Sequence, residues 1–531
     1  MPEQLLKRRG TLPGALGRYF PVRDPLTHGQ APVSVPPVVV GRAEGFPVNN
    51  TMPSSRRAVA VAAVLALVGS LMLTPAAHAA RPKCFGKRAT IVGTNRRDRL
   101  RGTPRADVIV AKGGNDRISG RGGNDRICAG GGRDRVAAGG GADRVGAGSG
   151  RDVVLGGGGG DRIFLEGGAE EAGFGGGGND VIDLGPGIFQ FGAGQTGDDT
   201  IIGFEPEAGP SLDFTGYFDA PGPVTVDLAA GTATGDGTDT LVSIEGAEGS
   251  QFDDTLIGTS GSNFLSGLVG NDTIESGGNA GDLDSPMTIF ELRFDLLAGD
   301  SGDDSITGGA GTNVIAHDLA PNGVDVDLQA GRATGDGTDT LSGIQVVLGT
   351  RFDDTLRGDN GDNLFEGEGG TDDIDGRAGI DTYALVDAEA GEVDLGAGTA
   401  TGTYRPFDPD TGEPGPPVPT AVSLSGIENV WASDGDDVIR GDDGPNRLFG
   451  LLGSDALFGL GGDDYLDGGP EVDPGEVNTL DGGDGTDTCV NGTATNCEGQ
   501  VRAAAARRLG AASEATWSGI AAAFSSRFSL K

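Results

Sequence analysis

The sequence predicts an all-β fold, a parallel β-roll or β-solenoid built from short repeats, with short hairpins inserted. Three observations predict it. An aspartate recurs every nine residues, an aliphatic residue stands two positions after it, and glycine crowds the positions before it. Glycine accounts for 100 of the 531 residues and the formal net charge is −39. Such a composition argues for disorder unless a fixed period runs through it.

The period is clearest in the first run of repeats, between residues 98 and 163. Turn-forming glycine, asparagine and aspartate precede a short strand in each unit. One aliphatic side chain per strand is too little to bury alone, so the units must stack around a narrow core. The aliphatic residues two positions after the aspartates are Leu100, Ile109, Ile118, Ile127, Val136, Val145, Val154 and Ile163.

Two nonapeptides make one coil of eighteen residues, so alternate aspartates form two columns with about 4.8 Å between coils. Carboxylates at that spacing repel each other unless a cation lies between them. Carboxylate and carbonyl oxygens in a flexible glycine loop suit several Ca²⁺ ions better than a softer metal. The expected ligands are Asp98, Asp107, Asp116, Asp125, Asp134, Asp143, Asp152, Asp161, Asp180, Asp199, Asp254, Asp272, Asp304, Asp354, Asp372, Asp381, Asp437, Asp455, Asp464 and Asp487.

These units, for example residues 120–127 (GRGGNDRI), resemble the RTX, or haemolysin-type, calcium-binding nonapeptide repeats with the pattern G-G-x-G-x-D-x-U-x. The resemblance covers most of residues 95–490. It implies a parallel β-roll in which each patterned aspartate, together with turn carbonyls, binds Ca²⁺ between neighbouring coils. Four asparagines take the place of the aspartate and should weaken or abolish metal binding there: Asn263, Asn313, Asn363 and Asn446.

Beyond the first run, the period returns in three related blocks. Residues 224–241 (VTVDLAAGTATGDGTDTL) recur as residues 324–341 (VDVDLQAGRATGDGTDTL), and a looser copy runs from 393 to 437. Each block is predicted to open with a two-strand segment and to end in nonapeptides. Before these blocks, Glu170 and Glu171 follow Asp161 with one extra residue, which predicts a break in register.

Two irregular segments interrupt the repeats. Residues 278–297 contain alternating apolar and charged side chains, which predict an added strand. Residues 405–419 (RPFDPDTGEPGPPVP) predict a hairpin loop. Asp408 and Asp410 within it lack the spacing of an EF-hand and are interpreted as turn residues.

The N-terminal region predicts export. Arg56 and Arg57 precede the apolar run 58–73 and the small-x-small segment 77–79, which together indicate a secretory signal peptide at 52–79. The alternative for the apolar run is an uncleaved membrane anchor. Residues 1–51 are interpreted as a leader that is disordered or that results from the choice of start codon, since Met52 is a conventional start. The mature chain is therefore expected to be secreted, with no membrane span.

The cysteines agree with an exported protein. An even number of them, near the two ends of the mature chain, favours disulfides. Of the three possible pairings, the local ones are predicted. The alternative is free thiols or metal ligands, although no C-x-x-C motif occurs. The predicted pairs are Cys84–Cys128 and Cys489–Cys497.

The charge divides the mature chain into regions. Residues 81–165 carry a net charge of +10, residues 166–500 carry −58, and the tail 501–531 carries +4. Arginine directly follows the aspartate at six positions of the first region: 99, 117, 126, 135, 144 and 162. One interpretation is charge compensation of the aspartate columns. The other is a basic ladder for an anionic cell-wall or matrix polymer.

The predicted domains are an arginine-rich roll at 80–190, two acidic blocks at 191–400, a third block at 401–500 and a helical cap or tail at 501–531.

No catalytic role is expected, because the mature chain has a single histidine, His317, and no G-x-S-x-G or H-E-x-x-H motif. The leading interpretation is a secreted protein in which Ca²⁺ serves structure. The alternatives are an extracellular adhesin or matrix protein, and a polysaccharide-acting enzyme within residues 200–430. Specific nucleic-acid binding is not expected.

Overall fold

The computed structural model of the protein describes residues 81–501, apart from 169–170, 188, 206–211, 280–293, 318–319, 386–387, 405–406, 409–412, 415 and 470–476. The predicted leader and signal peptide, and the predicted cap apart from Val501, lie outside the described residues. So do most of the strand predicted within 278–297 and much of the hairpin loop predicted at 405–419.

The described residues form strands joined by turns, and none of them forms a helix that is long and apolar enough to cross a membrane. In chain order the strands are β1 (Lys83–Cys84), β2 (Lys87–Arg88), β3 (Ile91–Val92), β4 (Arg99–Arg101), β5 (Val108–Gly113), β6 (Arg117–Gly122), β7 (Arg126–Gly131), β8 (Arg135–Gly140), β9 (Arg144–Ser149), β10 (Val153–Gly158), β11 (Arg162–Phe164), β12 (Ala172–Gly177), β13 (Val181–Asp183), β14 (Gln190–Thr196), β15 (Thr200–Ile202), β16 (Asp213–Gly216), β17 (Thr225–Asp227), β18 (Thr232–Thr234), β19 (Thr238–Val242), β20 (Gly246–Glu248), β21 (Thr255–Ile257), β22 (Phe264–Ser266), β23 (Thr273–Glu275), β24 (Asp295–Ala298), β25 (Ser305–Thr307), β26 (Asn313–Ala316), β27 (Asp325–Asp327), β28 (Arg332–Thr334), β29 (Thr338–Ser342), β30 (Val346–Thr350), β31 (Thr355–Arg357), β32 (Leu364–Glu368), β33 (Gly370–Asp375), β34 (Thr382–Ala384), β35 (Ala388–Asp394), β36 (Thr399–Tyr404), β37 (Phe407–Asp408), β38 (Glu413–Pro414), β39 (Val418–Ser425), β40 (Asn429–Trp431), β41 (Val438–Arg440), β42 (Arg447–Phe449), β43 (Ala456–Phe458), β44 (Tyr465–Asp467), β45 (Thr479–Asp481), β46 (Thr488–Val490), β47 (Thr493–Thr495) and β48 (Gly499–Val501).

Two sheets run along the roll, and the chain passes between them at each turn. Sheet 1 begins with β3, β5, β7 and β9, and sheet 2 begins with β4, β6, β8 and β10. Within a sheet the neighbours are parallel and eighteen residues apart, as in the pairing of Ile109 with Ile127 and of Ile127 with Val145. The parallel β-roll and its coil of two nonapeptides are therefore confirmed.

The core lies between the two sheets. The aliphatic residue two positions after each aspartate points into it, and Ile109, Ile127 and Val145 are fully buried. Leu100, at the open end, is only partly buried against this cluster. The repeat therefore builds a core one side chain wide, in which each coil rests on its two neighbours.

Three antiparallel meanders interrupt sheet 1, one in each related block. In the first, β17 pairs with β18 and β18 with β19, while β19 joins β15 and β17 joins β21 in parallel. The second meander, β27–β29, repeats this order, and the third uses β35, β36 and β39. The predicted two-strand segments are wrong in number, because the stretch containing Asp239 forms a third strand.

The predicted break in register at Glu171 is also wrong. The strand after it, β12, pairs with β10 from Val153–Ala172 onward without a shift. The extra residue is accommodated in the turn, where the backbone of Glu166 and Gly167 takes positive φ. The roll therefore continues with a coil one residue longer.

Sheet 2 carries a second apolar cluster that the period does not predict. Phe264 and Leu265 are neighbours in β22, yet Leu265 belongs to the central core and Phe264 to this separate cluster. Successive strand residues point to opposite faces, so the second cluster lies on the outer face of the sheet. Its aromatic members include Phe174, Phe191, Phe214 and Trp431.

Both predicted cysteine pairs lie at bonding distance, with Cα atoms 5.7 Å apart for Cys84–Cys128 and 6.0 Å apart for Cys489–Cys497. The first bond ties the antiparallel hairpin β1–β2 to β7, across the outer face of sheet 1. The second bond closes a short loop in the last coil.

We expect replacement of both Cys84 and Cys128 by alanine to destabilise the first coils by roughly 3–4 kcal/mol, because the bond closes a long loop. The acidic blocks should be unaffected, since contacts in a solenoid reach only neighbouring repeats. Peptide-resolved hydrogen exchange with Ca²⁺ present should show faster exchange before residue 150 only. The matched double variant of Cys489 and Cys497 should change only the last coil, and uniform acceleration along the chain would contradict the expectation.

Candidate metal sites

The aspartates of the repeats form a hydrogen-bonded ladder at the mouth of each turn. The backbone N–H of Asp107 donates to Oδ1 of Asp125 at 2.7 Å, and that of Asp125 donates to Oδ1 of Asp143 at 2.6 Å. The same bond links Asp116 to Asp134 on the other side of the roll. Each carboxylate is thereby fixed by the preceding coil, with one oxygen satisfied.

The other oxygen, Oδ2, is the distinguishing feature of these sites. At fifteen of the twenty predicted ligand positions this oxygen is buried, and no residue of the described part of the chain donates a hydrogen bond to it. An unsatisfied buried carboxylate oxygen is costly, so each such atom requires a partner that the protein chain does not supply. The fifteen residues are Asp116, Asp125, Asp134, Asp143, Asp152, Asp161, Asp180, Asp199, Asp272, Asp304, Asp372, Asp381, Asp455, Asp464 and Asp487.

The remaining five predicted ligands have this oxygen closed by the protein itself. In Asp107, Oδ2 accepts the backbone N–H of Thr103 at 2.7 Å and its hydroxyl at 2.9 Å. A serine or threonine four residues earlier donates its N–H and hydroxyl to the carboxylate in every case. We therefore do not expect these five carboxylates to face an ion: Asp98, Asp107, Asp254, Asp354 and Asp437.

The backbone conformation four residues before the aspartate separates the two groups. In all fifteen open turns this residue has positive φ, as in Lys112 (86°) and Arg121 (83°). In the five closed turns it does not, and its N–H reaches the carboxylate. Positive φ turns that N–H away, and the site remains open to an external partner. Such a backbone is disfavoured for residues other than glycine, so it marks an imposed geometry.

The asparagine positions show what an open site would hold. The side-chain amide of Asn263 donates to the carbonyl oxygens of Thr259, Gly261 and Ser276 at 3.2, 2.6 and 2.8 Å. Asn313 donates in the same way to Gly309, Gly311 and Gly343. A positively polarised N–H₂ group thus lies where several carbonyl dipoles converge. At an aspartate position the same place offers only oxygens.

The residues fit a hard cation. Around Asp125 the oxygens equivalent to those at Asn263 are the carbonyls of Arg121, Gly123 and Ala138. A Cβ atom on Gly120 would collide with both Oδ2 of Asp125 and the carbonyl oxygen of Ala138. The described residues contain no cluster of three or more His, Cys, Asp or Glu side chains. Carbonyl oxygens must therefore complete each site, which is the ligand set that Ca²⁺ prefers.

Without a bound ion, burial shifts the open-turn aspartates toward the neutral acid. Burial raises the pKa of Asp152 and Asp199 to about 7 and that of Asp372 to about 8. Backbone hydrogen bonds lower these pKa values, and carboxylates of adjacent coils raise them further. An ion bound at neutral pH would reverse this preference, because it stabilises the charged form.

The open sites are unevenly distributed between the two rows of turns. The turns that enter sheet 1 keep aspartate from Asp107 to Asp455, whereas the row that enters sheet 2 changes after Asp152. In that row the side chain that accepts the ladder N–H is often glutamate, glutamine or asparagine instead of aspartate. For example, Asp213 donates its N–H to Glu245, and Asn313 donates to Gln345. Asp213 and Asp295 keep aspartate in this row, and the positions that carry another residue are Glu171, Gln190, Glu245, Asn263, Asn313, Gln345, Asn363, Glu428, Asn446 and Glu498.

Sequence reasoning missed two ladder members inside the meanders, Asp239 and Asp339. They accept the backbone N–H of Asp199 and of Asp304 at 2.9 and 3.0 Å. The signal was present, since each is followed two positions later by leucine, at the place where the repeats of the first run carry an aliphatic residue. The second oxygen of Asp239 accepts the buried hydroxyl of Tyr217 at 2.8 Å.

The position equivalent to Tyr217 in the second meander block is His317. Its ring lies buried with Nδ1 3.8 Å from a carboxylate oxygen of Asp336. Burial lowers the pKa of His317, but the imidazole's interaction with the carboxylate of Asp336 outweighs burial, so that the pKa lies above its ordinary value. The single histidine of the described chain is thus part of the acidic packing around the second meander.

Comparison with known proteins agrees with this geometry. A family model described as RTX calcium-binding nonapeptide repeat (4 copies) matches residues 92–127, 101–136, 137–169, 174–188, 248–283, 293–319, 348–383, 424–457 and 440–473. No curated protein matches the chain.

We expect Gly120→Ala to destabilise its coil by about 1–3 kcal/mol and to weaken ion binding there, because the new methyl group enters the site of Asp125. Gly158→Ala is the matched control in the same roll, since a Cβ at Gly158 meets nothing within 4 Å. Urea unfolding in Ca²⁺ compares the two. Equal stability of both variants would show that the turn around Asp125 is not tightly packed.

The pH dependence of stability should change sign with Ca²⁺. Burial raises the pKa of several open-turn aspartates to about 6–8 in the ion-free protein, among them Asp143, Asp199 and Asp372. The stabilisation that their protonated forms give is therefore complete below about pH 4 and is lost as pH rises through about 6–8. In EDTA, the free energy of unfolding should therefore fall between pH 4 and pH 8. In excess Ca²⁺ it should rise over the same interval, and parallel profiles would refute this expectation.

Proposed function

Because the chain carries RTX calcium-binding nonapeptide repeats in copies across residues 92–473, we propose that it is a secreted protein in which Ca²⁺, bound between stacked turns, maintains the β-roll. The observation that carries the proposal is the set of fifteen buried carboxylate oxygens without a donor. Each lies in a turn whose carbonyl oxygens can share an ion with it. The role is structural, since the ion would join one coil to the next.

The bound ion supplies positive charge to a turn that has only oxygens to offer. The chain contributes the rest: the ladder hydrogen bonds hold each carboxylate in place, and glycine allows the next coil to approach closely. The need is greatest in residues 166–500, where a net charge of −58 opposes compaction. A core one side chain wide cannot offset that repulsion together with the chain entropy.

The proposal includes no catalytic role. The two aspartates of each Asp-Asp pair have different structural roles. For example, Asp254 belongs to the ladder, whereas Asp253 accepts the backbone N–H of Asn271 in the next coil. His317 is buried beside Asp336 rather than in a cleft. The period thus accounts for the acidic side chains that a carboxylate mechanism would otherwise use.

A second candidate function is that of an extracellular adhesin or matrix protein that binds an anionic polymer through the solenoid. The observation that favours it is the change of charge along the roll, from +10 over residues 81–165 to −58 over residues 166–500. Ion-dependent rigidity and polymer binding are compatible, because they use different sides of the strands.

Removal of Ca²⁺ tests the structural role. In EDTA at neutral pH and low salt we expect the acidic blocks to lose most of their β-structure, and the arginine-rich roll to lose less. Extracellular calcium modules bind at roughly 10⁻⁴–10⁻³ M, so refolding should follow Ca²⁺ added in that range. Circular dichroism, with Mg²⁺ as the control cation, measures both steps. An unchanged β-signal in EDTA would exclude an ion-dependent fold.

Single substitutions separate open turns from closed ones. Asp272→Asn should remove at least one bound Ca²⁺ per chain, because Oδ2 of Asp272 accepts no hydrogen bond from the residues that the structure describes. Asp254→Asn is the matched control in the adjacent coil, where Ser250 already satisfies the carboxylate. Metal content measured by mass spectrometry should fall only for the first variant. Loss of an ion from both would show that the closed turns also bind.

A further inference from the structure

The outer face of sheet 1 carries a row of three arginines in the arginine-rich roll. Arg126, Arg144 and Arg162 are paired residue for residue in β7, β9 and β11, so their backbones lie about 4.8 Å apart. Each directly follows a ladder aspartate and precedes a core residue. The alternation of strand side chains therefore directs the arginines away from the core.

These arginines do not serve the aspartate columns. None of the three forms an ion pair with a carboxylate in the described part of the chain. Burial, backbone hydrogen bonds and neighbouring aspartates set the pKa values of Asp125, Asp143 and Asp161. Compensation of the aspartate charges therefore does not explain the row of three arginines.

The N-terminal hairpin fixes two of the three guanidinium groups. Arg126 donates from Nη1 to the carbonyl oxygen of Phe85 at 2.8 Å. The guanidinium carbon of Arg144 lies 4.3 Å from the ring centroid of Phe85 and 4.8 Å from that of Phe164. Phe85 adjoins Cys84, whose bond to Cys128 holds the hairpin on the sheet. The charges are therefore held in place before any ligand arrives, which reduces the entropy lost on binding.

We propose that this face, formed by Arg126, Arg144, Arg162, Phe85 and Phe164, binds an acidic polysaccharide. A straight row of guanidinium groups, one per coil, matches an extended polymer with one carboxylate per sugar residue, and guanidinium binds carboxylate through two parallel hydrogen bonds. The phosphates of a DNA strand follow each other at about 3.4 Å along the helix axis, which does not match the row. The rings flank the central charge and offer apolar surface to a sugar.

This inference rests on the second proposed function, polymer binding, and assigns it to one face. The test uses the full chain with Ca²⁺, and polygalacturonate as the immobilised probe, with neutral dextran and double-stranded DNA as competitors. Substitution of Arg126, Arg144 and Arg162 by glutamine should weaken binding by roughly tenfold or more. The control replaces Arg99, Arg117 and Arg135 on sheet 2 by glutamine, an equal change of charge on the opposite sheet, and should cost much less.

Circular dichroism in Ca²⁺ verifies that the variants fold. If the triple variant does not fold, the single variant Arg162→Gln takes its place, because Arg162 forms no hydrogen bond or ring contact with the hairpin among the described residues. This single variant should weaken binding by about a third of the free-energy change expected for the triple variant. Arginine-to-lysine substitution at the three positions should restore the charge but only part of the affinity. Equal loss in both triple variants, or stronger competition by DNA than by free polygalacturonate, would overturn the assignment. Absence of any polygalacturonate binding by the unaltered chain would overturn polymer binding itself.

Discussion

One interaction governs this molecule, the buried carboxylate at the mouth of each turn. The preceding coil satisfies one of its oxygens through a backbone N–H, which fixes the distance between coils and the direction of the side chain. The second oxygen faces turn carbonyls, and where the turn is open no donor within the described ranges bonds to it. Three features of the repeat leave room for that oxygen and the carbonyls around it. They are the glycine before the aspartate, the positive φ four residues before it, and the close approach of successive coils.

Much of the fold follows from the sequence because the period is a local property repeated many times. The spacing of Asp116, Asp125 and Asp134 is enough to predict the coil, the alternation between sheets and the buried aliphatic column. The division into open and closed turns is different. Arg121 and Thr103 occupy the same position of the repeat, and the hydroxyl residue at that position is a sequence signal that the period alone does not interpret. The backbone conformation and hydrogen bonds show that Thr103 caps the carboxylate whereas Arg121 leaves it exposed.

Contacts between residues far apart in the chain could not be predicted from the sequence either. Phe85 stands about forty residues before Arg126, and only the folded hairpin brings its carbonyl and ring to the arginine row. The third strand of each meander escaped prediction for a similar reason. Its ladder aspartate, Asp239 or Asp339, follows a segment that reverses direction, so the eighteen-residue spacing to the previous ladder member is lost. Positions that keep the period are predictable, whereas positions joined across an insertion are not.

The asparagine turns have a consequence for how the roll assembles. The side-chain amides of Asn263 and Asn313 donate to the turn carbonyls, so the coils around these two residues can close in any ionic environment. These coils are spaced along the acidic region and lie next to coils that need an ion. In a repeat array, order propagates from a formed unit to its neighbour. The ion-independent turns are therefore built-in starting points, from which the ion-dependent coils can be added one after another once the chain reaches calcium.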